Sequence, residues 1–163
     1  MKLLIIISHD NHTIGILLQG GVWEWTADIV QEYKNNFPDA EILLSTWNDQ
    51  ITDDIPCEVI KTKYPPETSP HVSHINYQIV GCQIGLKKMN SSIIMKCRTD
   101  QFIHNRNIFE LFLQPPCTKN KIMVSRPQMG VYSKCDFFVN DFVQLANKEV
   151  LSEYWNSMPL YDG

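Results

Sequence analysis

Two apolar, strand-like segments of this 163-residue chain stop abruptly at polar side chains. One segment, residues 40–47, reads Ala-Glu-Ile-Leu-Leu-Ser-Thr-Trp, and the other, residues 96–100, reads Lys-Cys-Arg-Thr-Asp. In an open α/β sheet, ligands bind in the crevice beyond the carboxyl ends of the strands. Arg98 and Asp100 would therefore place a cation and a carboxylate where a phosphorylated ligand or a metal ion binds.

Arg98 and Asp100 suit a divalent cation together with a diphosphate. A carboxylate such as Asp100 supplies the hard oxygen that Mg²⁺ or Mn²⁺ prefers. A guanidinium such as Arg98 binds a phosphate or a carboxylate through two parallel hydrogen bonds. A bound metal would then neutralise charge on a departing diphosphate. The alternative interpretation is a charged strand end that is simply solvated.

Three further segments carry polar or aromatic side chains next to predicted elements. Gln19 and Gly20 follow an apolar run, and they form either a tight turn or a turn that lets a ligand approach the backbone. Trp47 could stack on a base or a sugar, or it could cap the edge of the core. Asn76 and Gln78 lie near the start of a predicted helix, where they either cap and solvate the helix or contact a ligand.

The segment that contains Asp136 is another candidate. Asp136 precedes two phenylalanines, a position typical of a helix N-cap. If it faced the crevice, it could act as a general base. Asp141, five residues further on, is better explained as an exposed residue on the surface of a helix.

Composition narrows the class of protein. The net charge is −4, which disfavours bulk binding of nucleic acid. We find no phosphate-binding loop, dinucleotide fingerprint, nucleophile elbow or zinc-protease motif. The five cysteines form no C-x-x-C pair, which favours buried free thiols and a reducing compartment. No run approaches the roughly 20 apolar residues of a membrane-spanning helix. We therefore expect a soluble, cytoplasmic protein, whose attachment to a membrane would need a partner or a missing segment.

Strand and helix patterns alternate along the chain. Apolar runs predict strands at 14–19, 41–45, 58–60, 92–97 and 121–124, and residues 3–8 are a second candidate for the first strand. Apolar residues at helical spacing predict a helix that is capped by Thr26 and closed by Pro38, a helix over 75–86, a helix over 108–113, and a largely helical segment over 137–154. This alternation predicts a mainly parallel α/β sheet. Because no linker divides the chain, we expect one domain over residues 1–163.

Taken in order, these segments resemble the WavE-like glycosyltransferase family associated with bacterial lipopolysaccharide synthesis. The similar stretches read Leu-Leu-Gln-Gly at 17–20, Phe-Pro-Asp-Ala-Glu-Ile-Leu-Leu-Ser-Thr-Trp at 37–47, Asn-x-Gln-Ile at 76–79 with Gly-Leu at 85–86, Met-Lys-Cys-Arg-Thr-Asp at 95–100, and Ser-x-x-Asp-Phe-Phe at 133–138. The resemblance runs from about residue 14 to residue 138. Its most specific parts are the Ser-Thr-Trp and Lys-x-Arg-Thr-Asp elements.

The resemblance implies a Rossmann-like domain of GT-A type, with helices on both faces of the sheet. Such a glycosyltransferase moves a sugar from a nucleotide-sugar donor to a glycan or lipopolysaccharide-type acceptor. Folds of this type often hold Mg²⁺ or Mn²⁺ on the donor diphosphate with an Asp-x-Asp motif. Here Arg98 takes the first position, so Asp100 alone would hold the metal and Arg98 would replace part of its charge. Members of this family are longer, which makes the chain a compact version, a fragment or one domain of a larger protein.

The resemblance also implies roles for individual residues. The donor pocket would contain Gln19, Gly20, Thr46, Trp47, Asn76, Gln78 and Arg98. Arg98 and Asp100 would hold the diphosphate, directly or through the metal, and Asp136 would deprotonate the acceptor hydroxyl if transfer inverts the anomeric centre. Stabilisation of charge on the departing diphosphate would be the largest catalytic contribution. Two alternatives stay open: an inactive nucleotide- or sugar-binding module with the same fold, and an interaction domain with no ligand.

Overall fold

The computed structural model of the protein describes residues 12–69, 72–114, 120–125 and 140–162. These residues form six β-strands and four α-helices. The strands are β1 (Ile14–Gln19), β2 (Glu41–Trp47), β3 (Glu58–Thr62), β4 (Ile93–Arg98), β5 (Met123–Val124) and β6 (Val143–Asn147). The helices are α1 (Thr26–Asn36), α2 (Ile75–Lys88), α3 (Ile108–Leu113) and α4 (Lys148–Asn156).

The six strands form one sheet in the order β3-β2-β1-β4-β6-β5. Strands β1 to β4 run parallel, whereas β6 runs antiparallel to β4 and β5 runs antiparallel to β6. The predicted mainly parallel α/β sheet is confirmed. After β1 the chain adds β2 and β3 on one side and then β4 on the other, so the strand order reverses between β1 and β4. Open α/β sheets bind their ligands beyond the carboxyl ends of the strands at such a reversal.

Helices cover both faces of the sheet, because successive side chains of a strand point to opposite faces. On β1, Leu17 belongs to the apolar cluster that contains Leu86 of α2. Its neighbour Leu18 belongs to the opposite cluster, with Tyr33 of α1 and Phe109 of α3. Helix α4 covers the same face as α2. Among the described helices, none combines the length and apolarity that a bilayer crossing requires.

The prediction of a largely helical segment over residues 137–154 is wrong for its central part. Residues Val143–Asn147 form strand β6, and helix α4 follows directly. Both faces of β6 are covered, since Leu145 packs in the cluster of α1 and α3 whereas Ala146 packs in the cluster of α2 and α4. A strand that is buried on both faces is a short continuous apolar run, which periodicity alone cannot distinguish from a buried helix.

Two smaller predictions also need correction. Strand β2 continues through Thr46 to Trp47, so both residues lie within the strand rather than beyond its end. Thr26 does not cap helix α1. Its hydroxyl instead accepts a hydrogen bond from the backbone N–H of Trp23 and donates one to the carbonyl of Thr99, which links the start of α1 to the loop after β4.

The predicted buried free thiols are present among the described residues. Cys82 and Cys97 are fully buried and unpaired. Burial disfavours the thiolate and raises the pKa of both thiols to about 12. These two cysteines therefore belong to the core and are poor nucleophiles at neutral pH.

Helix α2 packs closely on the sheet through a face of two glycines. Gly81 and Gly85, one turn apart, lie over strands β1 and β2. A Cβ atom at Gly85 would lie 2.5 Å from Leu17 Cδ1, and one at Gly81 would lie 2.8 Å from Gln19 Cγ. The Ser45 hydroxyl donates a hydrogen bond to the Gly81 carbonyl at 2.7 Å. The two glycines therefore set the height of α2 over the sheet and the position of its N-terminus beside the strand ends.

Replacing Gly85 with Ala should lower the free energy of unfolding by about 1–3 kcal/mol, because the added methyl group meets the buried Leu17 side chain. In an unconstrained helix interior the same change would instead stabilise by about 1 kcal/mol. Urea unfolding followed by circular dichroism measures the difference. In a double variant with Leu17→Ala the cost of Gly85→Ala should shrink, because the truncated side chain leaves room for the methyl group. Strict additivity, or stabilisation by Gly85→Ala alone, would contradict this packing.

Glu41, at the start of β2, holds the loop that leads into β4. Its carboxylate accepts hydrogen bonds from the backbone N–H groups of Asn90 and Ser91 and, at 2.6 Å, from the Ser91 hydroxyl. Burial by itself would raise the pKa of Glu41, but these hydrogen bonds outweigh it and hold the pKa below its ordinary value of 4.5. The ionised carboxylate therefore stabilises the folded state.

For Glu41→Gln we expect the unfolding free energy to fall by about 1 kcal/mol at neutral pH, since the carboxylate is only partly buried. A carboxyl group whose pKa is lower in the folded protein contributes stability above its unfolded pKa and loses it as the pH falls through the folded value. The difference between wild type and variant should therefore shrink below about pH 4. Urea titrations across this range measure it, with Glu58→Gln as the control, because the ion pair of Glu58 with Lys88 is exposed. An equal difference at every pH would refute the assignment.

Candidate functional site

A cavity of about 380 Å³ lies beyond the carboxyl ends of the parallel strands. Its walls come from the ends of β1, β2 and β4, the start of α2 and the segment that precedes β6. Cavities that bind small molecules usually fall in the range of about 300–1,000 Å³. The cavity also lies at the reversal of strand order, where this architecture binds its ligands. Position and size both mark it as the candidate site.

The register between β1 and β4 determines which residues meet at the floor of this cavity. Gln19, the last residue of β1, pairs with Arg98, the last residue of β4, and on its other side with Ser45 of β2. Gln19 is 3% exposed, and its side-chain amide donates a hydrogen bond to the carbonyl of Tyr77 in α2 at 3.3 Å. The central strands and helix α2 are therefore joined directly beneath the cavity.

A glycine turn follows β1 at the edge of the cavity. Gly20 has a φ of +139°, in the region that favours glycine. A Cβ atom there would lie 3.0 Å from the Thr99 hydroxyl oxygen. That hydroxyl donates a hydrogen bond to the carbonyl of Gly21 at 2.6 Å. The turn is therefore fastened to the segment after β4, and its bare backbone faces the cavity.

Arg98 and Asp100 form an ion pair on the cavity wall. Arg98 Nε and Nη2 donate to the two carboxylate oxygens of Asp100 at 2.9 and 2.5 Å. Hydrogen bonding to Asp100 raises the pKa of Arg98. Burial by itself would raise the pKa of Asp100, but the hydrogen bonds from Arg98 and Gln101 hold it below its ordinary value. Both groups are thus charged at neutral pH. No described residue accepts a hydrogen bond from the third nitrogen, Nη1, and the Arg98 side chain is 38% exposed.

Aromatic rings form the opposite wall. The Trp47 ring centre lies 5.4 Å from that of Tyr77 and 4.8 Å from that of Tyr64. His74 meets Tyr77 edge-on at 5.2 Å. Trp47 is 3% exposed, so it closes the core edge and supports the more accessible ring of Tyr77, which in turn meets the exposed His74. Such a wall offers a stacking surface to a nucleobase or a sugar.

Asp141 lines the cavity, and the prediction that it lies exposed on a helix is wrong. It is partly buried and precedes strand β6. The ammonium group of fully buried Lys96 donates to its backbone carbonyl at 2.6 Å and lies 5.2 Å from the ring centre of Trp155. The Oδ2 atom of Asp141 is buried and has no hydrogen-bond partner in the described part of the chain.

Most of the residues predicted from the sequence meet in this cavity. Its lining includes Gln19, Gly20, Trp47, Gln78, Arg98 and Asp100. Thr46 and Asn76 lie elsewhere. Thr46 is 1% exposed within β2, and Asn76 exchanges two hydrogen bonds of 2.7 Å with the backbone of Tyr161. Asn76 therefore fixes the C-terminal segment and does not line the ligand cavity. Asp136 lies outside the described residues.

Three aromatic residues of the lining were not predicted from the sequence. Trp23 lies in the loop after the glycine turn, and His74 and Tyr77 lie at the start of α2. The spacing of three between His74 and Tyr77 could have revealed them, because such residues share one helix face with the predicted Gln78. Trp23 could have been noticed as an aromatic residue two positions after the paired glycines.

The Mg²⁺ or Mn²⁺ site at Asp100 stays a prediction. Within the described ranges, no three His, Cys, Asp or Glu side chains lie close enough together to hold an ion. Asp100 and Asp141 both line the cavity, but Arg98 engages both oxygens of Asp100. Mg²⁺ is usually held by one or two carboxylates together with water and substrate phosphates. Among the described residues of the lining, the cationic side chain is that of Arg98.

The fold is similar to that of GT-A glycosyltransferases. An active-site mutant of LgtC matches with a TM-score of 0.53 and 9% identity, over 91% of this chain and 66% of that chain. The galactosyltransferase LgtC in complex with donor and acceptor sugar analogs gives 0.52 and 10%, over 91% and 67%. The glycosyltransferase GlyE of Streptococcus pneumoniae TIGR4, in its apo form, gives 0.51 and 10%, over 88% and 36%. The chain thus spans less than two thirds of the LgtC mutant and about a third of GlyE. At these sequence identities the structural likeness shows the fold alone.

Sequence comparison identifies the family. No curated protein matches the chain. Residues 16–163, however, match the family described as WavE lipopolysaccharide synthesis. The matched range contains the strands and helices of the described structure except the first residues of β1, together with the described residues that line the cavity. The chain belongs to the WavE lipopolysaccharide synthesis family.

Proposed function

We propose that the protein is a glycosyltransferase that moves a sugar from a nucleotide-sugar donor to a glycan or lipopolysaccharide-type acceptor. The observation that carries this proposal is the cavity at the β1–β4 reversal, which is lined by a guanidinium, a glycine turn and aromatic rings. Membership of the lipopolysaccharide synthesis family and the likeness to LgtC in complex with donor and acceptor sugar analogs support it.

The cavity offers a complementary group to each part of such a donor. Arg98 binds the diphosphate through Nη1, while its other two nitrogens stay on Asp100, which fixes the plane of the guanidinium. The bare backbone at Gly20 lets a phosphate approach closely. The base stacks on Tyr77 and His74 at the opposite wall. One end of the ligand is therefore held by charge and the other by ring contact.

In the transfer step, the bond between the anomeric carbon and the diphosphate oxygen breaks, and its electron pair stays on the diphosphate. The acceptor hydroxyl oxygen bonds to the anomeric carbon, and its proton passes to a carboxylate. Arg98 stabilises the negative charge that develops on the leaving diphosphate. Electrostatic stabilisation of this kind is usually the largest contribution to catalysis. Among the described residues that line the cavity, Asp141 is the carboxylate that Arg98 does not engage, and we assign it as the proton acceptor. The same role for Asp136 stays a prediction.

Replacing Arg98 with Gln should weaken the binding of nucleoside diphosphates by about ten- to a hundredfold, the equivalent of about 1.5–3 kcal/mol for a hydrogen bond to a charged group. Isothermal titration calorimetry with UDP, GDP and CDP measures the effect. The matched control is Arg106→Gln, since Arg106 is exposed and does not line this cavity. Unchanged affinity in Arg98→Gln would contradict the proposed diphosphate site.

Replacing Asp141 with Asn should lower the rate of sugar transfer by about a hundredfold or more, because a general base is lost, while nucleotide affinity changes little. The contact with Lys96 is made by the backbone, so this substitution leaves it in place. Product formation from a panel of nucleotide-sugars, with affinity measured in parallel, tests both statements. Undiminished transfer would exclude Asp141 as the proton acceptor. Binding without product in the wild type would instead indicate an inactive nucleotide-sugar-binding module.

A further inference from the structure

A second cavity adjoins the first and shares a wall with it. It has a volume of about 410 Å³, and its lining includes Glu24, Asp49, Gln50 and Asp54. Trp23 lines both cavities. We propose that this second cavity binds an uncharged pyranose ring of the acceptor glycan, with the Trp23 indole as its platform. The inference rests on the proposed function, since it places the acceptor beside the donor cavity.

Trp23 has the exposure and support that a sugar platform requires. Its side chain is 51% exposed, and its ring stacks on that of Trp25, which is 37% exposed, at a centre-to-centre distance of 5.8 Å with planes 4° apart. Two neighbouring indoles at the surface form an apolar patch, and such patches commonly mark binding sites. The C–H groups on one face of a pyranose ring pack against an aromatic face, so this patch matches a sugar ring in chemistry.

The platform is held in place before any ligand arrives. The backbone N–H of Trp23 donates to the Thr26 hydroxyl at 2.9 Å, and that hydroxyl donates to the carbonyl of Thr99. The backbone N–H of Val22 donates to the Gln50 side chain at 2.7 Å. The loop that carries Trp23 is therefore tied to the segment that follows Arg98, and preorganisation of this kind lowers the entropic cost of binding.

Charge separates the occupants of the two cavities. The second cavity is lined by three carboxylates, and its described lining contains no lysine or arginine, so a phosphate or another anion is disfavoured there. Within the described ranges, no three acidic, histidine or cysteine side chains lie close enough to hold a metal ion. Sugar hydroxyls donate well to carboxylates. Glu24, Asp49 and Asp54 are all exposed, and Asp49 also accepts a hydrogen bond from the Tyr64 hydroxyl at 3.0 Å. This difference in charge between the two cavities places an anionic donor beside Arg98 and a neutral acceptor on Trp23.

Fluorine NMR of the protein labelled with fluorotryptophan tests the inference, because each of the four tryptophans reports on a different environment. Trp23 reports on the second cavity and on the edge that it shares with the donor cavity, Trp47 reports on the donor cavity alone, and Trp155, 2% exposed in the core, is the internal control. Lactose, maltose and cellobiose at millimolar concentration, with and without UDP, should shift the Trp23 resonance saturably. The Trp155 resonance should stay unmoved.

Two variants separate a sugar subsite from a nonspecific surface effect. Trp23→Ala should weaken disaccharide binding at least about tenfold, as expected for an aromatic anchor. Asp54→Asn, outside the donor cavity, should weaken it about threefold and leave UDP affinity unchanged. Phe102→Ala is the matched control, since Phe102 is a 40% exposed aromatic residue that lines neither cavity. Its disaccharide affinity should equal that of the wild type.

The outcomes distinguish this inference from the proposed function. If UDP shifts Trp47 but none of the three disaccharides shifts Trp23, the subsite is refuted and the donor site stands. If the disaccharides shift Trp23 but no nucleoside diphosphate shifts Trp47, the donor chemistry fails and the sugar subsite stands. Equal weakening by Phe102→Ala and Trp23→Ala would also overturn the subsite, because the effect would then not depend on the platform.

Discussion

The parallel pairing of β1 with β4 is the constraint on which the rest of the structure depends. The strand order reverses between these two strands, and their register sets Gln19 beside Arg98. Because both faces of β1 are buried under helices, a slip by one residue would turn its whole apolar set to the wrong faces. The register is therefore strongly specified. It brings the turn at Gly20 and the ion pair of Arg98 with Asp100 to one edge of the sheet, and the hydrogen bond from Thr99 to Gly21 locks them together.

The ion pair shapes how this edge can recognise a phosphorylated ligand. Asp100 orients the guanidinium of Arg98 but also neutralises much of its charge. Long-range attraction of an anion is therefore weak, and recognition depends on short hydrogen bonds from Nη1 and on the bare backbone of the glycine turn. The neighbouring platform at Trp23 adds a surface that needs no charge. The anionic donor and the uncharged acceptor thus occupy two cavities of different charge that share the Trp23 indole.

Sequence reasoning predicted the fold well where the signal is local. Apolar runs and helical spacing gave the parallel strands and α1 to α3, but β6 was missed because it is covered on both faces. The site was predicted at Arg98 and Trp47 because strand ends define where ligands bind. Asn76, Trp23 and Asp141 were misjudged or overlooked, since their roles depend on contacts that tertiary structure creates. Asn76 meets residue Tyr161, 85 positions away, and nothing in its local sequence indicates that partner.

A crystal structure of the protein with a bound nucleotide-sugar tests the central claim most directly. We expect density for the diphosphate within hydrogen-bond distance of Arg98 and the glycine turn, and for the base against Tyr77 and His74. A nucleotide-sugar bound elsewhere on the molecule, with Arg98 untouched at the β1–β4 edge, would contradict it.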